Sequence, residues 1–364
     1  MTVVGVAGIA ALLGPLPALA YLGQIPVSQT MSYELSVVPL FILMGNLVAR
    51  AGISADLYAS CNAFLGHRKG GLAMATIMAC GGFAAVCGSS IATAATMAKV
   101  AMPSMRRYNY HDGLASASIA AGGTLGILIP PSVIMVIYGF LTGTDVTKLF
   151  IAGILPGLVA IGLYIVAVRY ICWRDVDAGP PGARSGWGEA LASLSRVGPV
   201  VALFALVIGG LYFGVFTPTE AAGVGAFGAL VFALWRRTLS FHDFLACAVE
   251  TGRTTAALFA ILIGALLFSA FMNFAGLPRA LVALVTGFGA DRLTVLLAIL
   301  VVYAILGCFL ESLSMVLLTV PIFFPLVSAL GYDPVWFGII VVMVTELSLI
   351  TPPVGMNLFV IQNM

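Results

Sequence analysis

Charge is what this chain has least of. Of its 364 residues only 8% are Asp, Glu, Lys or Arg, against roughly a quarter in an ordinary soluble domain. With 61% apolar residues and a mean hydropathy of +1.13, far more apolar sequence is present than one soluble core needs. The class is therefore a polytopic membrane protein. Histidine is scarce as well: His67, His111 and His242 all fall in loops or surface segments, so no Ser–His pair sits at membrane depth. There is no H-E-x-x-H zinc motif and no P-loop, which excludes ATP-driven pumping by this chain alone and disfavours an enzyme. No cofactor is called for. The six cysteines contain no C-x-x-C pair and read as small apolar packing residues. No basic run suggests nucleic acid. The first apolar run lacks a basic leader and an A-x-A site, so it reads as a membrane helix.

What is present is a series of apolar runs with punctuation in unusual places. Residues 2–22 form a first crossing interrupted by Pro15 and Pro17, and 36–49 a second, flanked by Glu34 and Arg50. Residues 56–65 suit a short interfacial helix. A long run then lies between Arg68-Lys69 and Arg106-Arg107, which places both of its ends on the cytoplasmic side. It breaks at Gly88-Ser89-Ser90. Its second arm, 91–105, would rise about 22 Å, short of a ~30 Å hydrocarbon core. The expectation is a re-entrant hairpin over 70–106; two full crossings with a tight outer loop are the alternative. Lys99, on the second arm, is expected to snorkel to the cytoplasmic interface, with a substrate role as the alternative.

Residues 113–141 form a crossing broken at Pro130-Pro131, and 149–170 return. The polar stretch 171–196 reads as a cytoplasmic linker. Then 197–216 go out, Thr217-Pro-Thr-Glu220 turns, and 221–235 come back. Residues 241–255 read as an interfacial amphipathic helix, 256–275 as a crossing, and 277–287 as another interfacial stretch. A second hairpin is expected over 293–330 with its tip at Glu311-Ser312, followed by a second broken helix over 335–364.

Three prolines register the two halves: 325 − 103, 352 − 130 and 353 − 131 are each 222. The offset sets Ser89 on Glu311, Ser90 on Ser312 and Thr124 on Glu346. Five crossings separate the hairpins, and an odd number inverts the second copy. The domain reading is a first repeat over 1–170, the linker, and scaffold helices plus a second repeat over 197–364. Backbone that leaves a helix at membrane depth must line a protein cavity, and paired broken elements are the best pointer to a transporter's binding site.

Ser89, Ser90, Thr93, Thr351 and Asn357 are oxygen-bearing binding candidates there, or else they make ordinary helix–helix bonds. Glu311 and Glu346 are ionisable groups at membrane depth and so candidates by default. Glu311 either completes a site or only braces the hairpin.

The segments Val38-Pro-Leu-Phe-Ile-Leu-Met-Gly45, Gly88-Ser-Ser-Ile-Ala-Thr93, Leu125-Gly-Ile-Leu-Ile-Pro-Pro-Ser132, Phe216-Thr-Pro-Thr-Glu-Ala-Ala222 and Thr351-Pro-Pro-Val-Gly-Met-Asn-Leu-Phe359 resemble the large membrane subunit of tripartite ATP-independent periplasmic (TRAP) transporters. The resemblance spans nearly the whole chain. It implies an elevator-type carrier of the bacterial inner membrane, importing C4-dicarboxylates, sialic acid or related organic acids with Na⁺ as coupling ion. A periplasmic binding protein would deliver the substrate, and a small four-helix membrane subunit would clasp this one. It further implies one Na⁺ site at Ser89, Ser90, Gly126 and Pro130 and another at Ser312, Thr351, Pro352 and Gly355. Substrate would sit between the tips, near Gly88, Thr93, Ser132, Glu311, Ser314 and Asn357. The family's last crossing would fall near 371–392, past Met364, so the second repeat reads as shortened, as does the first helix. A stand-alone Na⁺/carboxylate symporter and a non-transporting membrane scaffold are the rival readings.

Overall fold

In lipid a backbone must satisfy its own hydrogen bonds, and a helix does so within one segment. The computed structural model describes residues 1–287 and 291–362, and their regular structure is all helical. The first expected crossing is interrupted one residue before its prolines, at Gly14, whose φ of +95° suits a residue without Cβ. Pro15 instead opens the next helix, where its missing N–H has no consequence. Thus α1 is Thr2–Leu13 and α2 is Pro15–Thr30. After a 3₁₀ turn come α3, Val37–Arg50, and α4, Ile53–Leu65.

α5 (Gly71–Cys87) and α6 (Ser90–Arg107) make the first hairpin. α6 has 18 residues, so it rises about 27 Å, more than the expected 91–105 arm. Arm length therefore does not make this hairpin re-entrant; burial of its tip inside protein does. α7 (Asp112–Leu128) and α8 (Val133–Thr142) meet at a 41° bend. α9, Val146–Arg174, follows as a 29-residue helix.

Two expectations are corrected next. The linker was read to 196, but α10 already begins at Trp187 and runs to Tyr212. The strong breakers Gly179-Pro-Pro-Gly182 and the capping Gly186 precede Trp187, whereas 189–196 holds good helix formers such as Ala, Leu and Glu. α11, Pro218–Trp235, starts from a reciprocal cap between Thr217 and Glu220. The interfacial helix and crossing expected at 241–255 and 256–275 are one helix, α12, Phe241–Phe274. No proline interrupts it, and Gly252 is tolerated inside. At 34 residues it rises about 51 Å and outruns the hydrocarbon core.

α13 is Leu277–Gly287; α14 (Arg292–Gly307) and α15 (Ser312–Ala329) form the second hairpin. α16 (Pro334–Ser348) and α17 (Met356–Gln362) form the second broken element; 363–364 of its expected range lie outside the described residues. The offset recurs in the helices themselves. α6 and α15 start at 90 and 312 and end at 107 and 329, and both differences are 222. α7 and α16 start at 112 and 334, again 222 apart.

Two bodies result. α3 packs on α11 and α12, and α11 on α10, as one group, with α4 between α10 and α5. α5 to α9 interleave with α14 to α17 as the other, with α16 against α7, α8 and α9. α5 touches both α3 and α4, and α12 touches α15, so the two groups share a seam beside the hairpin tips.

Candidate functional site

Each tip is shaped by local backbone chemistry. α5 ends in Gly88, left-handed at φ +64°, and Ser89 is extended so that its Oγ accepts from the Ala92 N–H at 3.4 Å. This cap starts α6 and turns the next side chain, Ser90, inward, where it is buried. The Ser90 hydroxyl donates to Glu346 Oε2. At the other tip Ser312, its partner at the offset, donates to Glu346 Oε1 at 3.1 Å. One carboxylate on α16, 3% exposed, thus holds one serine from each hairpin. An uncompensated carboxylate would not be stable at this depth, and the two hydroxyls supply the donors it needs.

The first broken helix meets its hairpin through bare backbone. A Cβ on Gly126 would stand 2.6 Å from the Ser89 carbonyl and 2.8 Å from Thr93 Oγ1, so both oxygens converge where that side chain is missing. Thr93 is fully buried, and its hydroxyl has no partner among the described residues. Pro130 is buried in the break, with the Pro131 carbonyl directed at Gly88. Ser132 spends its hydroxyl on capping α8, accepting from Met135 N at 3.4 Å.

The second site is looser. Cys308 Sγ donates to the Pro352 carbonyl at 3.2 Å, and Gly355 turns at φ +59°. Thr351 is exposed, and its hydroxyl folds back on the Leu347 carbonyl at 2.8 Å. Asn357 is fully buried. Its Nδ2 donates to the Ala120 carbonyl at 3.5 Å, while Oδ1 has no partner among the described residues.

A cavity of about 590 Å³ opens at the seam between the two bodies. Of the six residues expected near substrate, Gly88 and Glu311 line it, together with Ser89 from the first ion set. Thr93, Ser132 and Asn357 are packed away outside its lining, and half-buried Ser314 does not line it either. Lys99 does not simply snorkel to the interface: it lines the cavity, as do Arg50 on α3 and Glu250 on α12. The sequence reading also missed Asn46, a polar residue inside apolar α3, whose Nδ2 donates to Thr251 Oγ1 at 3.0 Å. Its polarity at membrane depth was the available signal. Arg50 gave none beyond marking a helix end. It pairs with Asp243 at 3.5 Å, outside the cavity lining.

The family model for the DctM component of tripartite ATP-independent periplasmic transporters matches residues 1–364. The chain belongs to this family. A C4-dicarboxylate TRAP transporter large permease protein from Pseudomonas aeruginosa is 40% identical over 329 residues, covering 90% of this chain and 77% of that one. An isethionate TRAP transporter permease protein from Oleidesulfovibrio alaskensis is 35% identical over 358 residues, 95% of this chain and 54% of that longer one. The crystal structure of the YdaH transporter from Alcanivorax borkumensis matches with TM-score 0.69 over 95% of this chain and 81% of that chain, at 15% identity. That likeness speaks to fold alone. As a DctM component, the chain is a multi-pass membrane transport protein and not an enzyme, and it belongs to a tripartite system.

Proposed function

We propose that this DctM component imports a small organic acid together with Na⁺ across the bacterial inner membrane. C4-dicarboxylate is the leading substrate, since the 40% identical relative carries that name. A periplasmic binding protein delivers the acid, and a small four-helix membrane subunit clasps the chain. The observation that carries the reading is the seam cavity, where Arg50 and Lys99 stand beside two hairpin tips tied to one carboxylate. Glu250 and Glu311 line the same cavity and balance the two cations overall, so Arg50 and Lys99 serve as local partners for an anion's carboxylates and not as a net positive field.

Na⁺ takes hard oxygen ligands. The convergence of the Ser89 carbonyl and the unpartnered Thr93 hydroxyl on Gly126 fits such an ion. Ser90 and Pro130 border it. At the second tip Ser312, Pro352 and Gly355 would contribute, with Thr351 turning from its own helix. The cavity draws its walls from both bodies, which supports transport by sliding the hairpin body against the other. The test is Na⁺-dependent uptake in proteoliposomes holding the assembled complex. Ser89→Trp and Ser312→Trp each bring uptake to background while the protein stays folded; undiminished uptake overturns the assignment.

A further inference from the structure

The cytoplasmic end of α9 carries a feature that the transport reading leaves unused. A second cavity, of about 490 Å³, opens there, away from the seam. Arg68 and Lys69 reach it from the loop ahead of the first hairpin, and Arg169 from α9. Met74, Cys172, Trp173 and Val176 complete the wall, and no carboxylate lines it. None of the three cations has an ion pair among the described residues. The nearest acids along the chain are Asp175 and Asp177, and Asp175 Oδ1 already accepts from the Asp177 N–H at 3.1 Å. Asp175 is the acid beside Cys172, but with no carboxylate in the lining the three cations round this cleft repel each other and raise the local concentration of anions.

The surroundings say which anion. Leu155, Val159, Leu163, Val166 and Tyr170 recur every three or four residues on α9, and each is more than half exposed. They form one apolar stripe that faces lipid. Tyr170 and Trp173 end that stripe, the position aromatic side chains take at the headgroup level. The cations therefore stand at headgroup depth on the cytoplasmic side, with an acyl-chain track leading up to them. Basic pockets in this position bind phospholipid headgroups.

We infer that this cavity holds the headgroup of an anionic phospholipid, its phosphate among Arg68, Lys69 and Arg169 and its chains along the outer stripe of α9. The site adjoins a joint. The linker after α9 is pinned to the base of the first hairpin by Gly70 N to Gly179 O at 2.9 Å and Gly182 N to Gly66 O at 2.7 Å. A lipid bound there braces the hairpin base against the linker.

The experiment uses the full chain in nanodiscs of phosphatidylethanolamine with or without added phosphatidylglycerol or cardiolipin. Thermal unfolding and lipid retained in native mass spectra are the readouts. Anionic lipid is expected to raise the unfolding temperature and to be retained. Each of Arg68→Gln, Lys69→Gln and Arg169→Gln weakens retention about fivefold, and the triple variant abolishes it while unfolding normally in phosphatidylethanolamine. Equal retention of zwitterionic lipid, full retention by the triple variant, or equal stabilisation by inorganic phosphate overturns the inference. So does protection of Trp173 by a protein subunit that displaces the lipid.

Discussion

The two broken helices are copies at a constant offset, yet their side chains and hydrogen bonds differ. At the first, residues 129–132 are all buried. α9 lies over them, with Gly153 against the Leu128 carbonyl and Gly157 against Ile129. At the second, Thr351 bonds within its own helix and Cys308 Sγ donates to the Pro352 carbonyl. The side chains have diverged too. Gly126 answers to Ser348, Thr124 to Glu346 and Thr93 to Met315, each 222 apart. Backbone punctuation has been kept in both copies while oxygen ligands and charge have not. The oxygen-rich pocket is on the first side, the carboxylate comes from the second, and that carboxylate is shared by both tips.

The sharpest way to break this picture is Glu346→Leu. It leaves the buried hydroxyls of Ser90 and Ser312 without an acceptor, at about 1–3 kcal/mol each. Thermal unfolding should show a loss of about 2–6 kcal/mol, and uptake should vanish. Glu346→Gln keeps one acceptor and should lose less. An unaltered unfolding temperature in the Leu variant would mean that the tips are not tied through this residue.

A paired substitution at one offset compares the halves directly. Gly126→Ala drives a methyl group into the Ser89 carbonyl and Thr93 hydroxyl. Overpacking of this kind costs about 1–3 kcal/mol, and uptake should fall at least tenfold as the tip shifts. At Ser348 the equivalent change to Ala removes one bond to the Thr345 carbonyl in its own helix, worth about 1 kcal/mol. Equal losses at both positions, read as unfolding temperature and initial uptake rate, would erase the asymmetry.

Neutralising the cavity cations probes the seam. Arg50→Gln and Lys99→Gln should each raise the KM for an anionic substrate about tenfold, roughly 1.4 kcal/mol of binding, with kcat little changed. Added salt should narrow the gap between variant and parent, because exposed charges are screened. An unchanged KM for both variants would move the substrate elsewhere.

Much of this frame was legible before any coordinates. Proline spacing alone registered the repeats, because a helix break depends on the residues at the break and little else. Gly88-Ser89 and Pro130-Pro131 are such local signals. The misses share a different physics. Lys99 sits mid-way along α6, where a lone lysine is expected to reach for the interface, and only the walls from α3 and α12 make its face part of a cavity. Glu346 was visible as a charge at membrane depth, but its donors come from 34 and 256 residues away. The join within α12 was overread, because a change from polar to apolar composition does not end a helix without a breaker.

The smallest effect separates structure from ion binding. Thr351 is exposed and bonded to the Leu347 carbonyl of its own helix, so Thr351→Val should alter stability by no more than about 0.5 kcal/mol. If Thr351 nonetheless turns to Na⁺ during transport, the same variant should raise the Na⁺ concentration for half-maximal uptake at least threefold. Ser132→Ala at the first break should do the reverse, costing about 1 kcal/mol through the lost cap of α8 and leaving the Na⁺ dependence where it was. A Thr351→Val variant with an unmoved Na⁺ curve would strike this hydroxyl from the ligand set and leave the second site to Ser312 and backbone carbonyls.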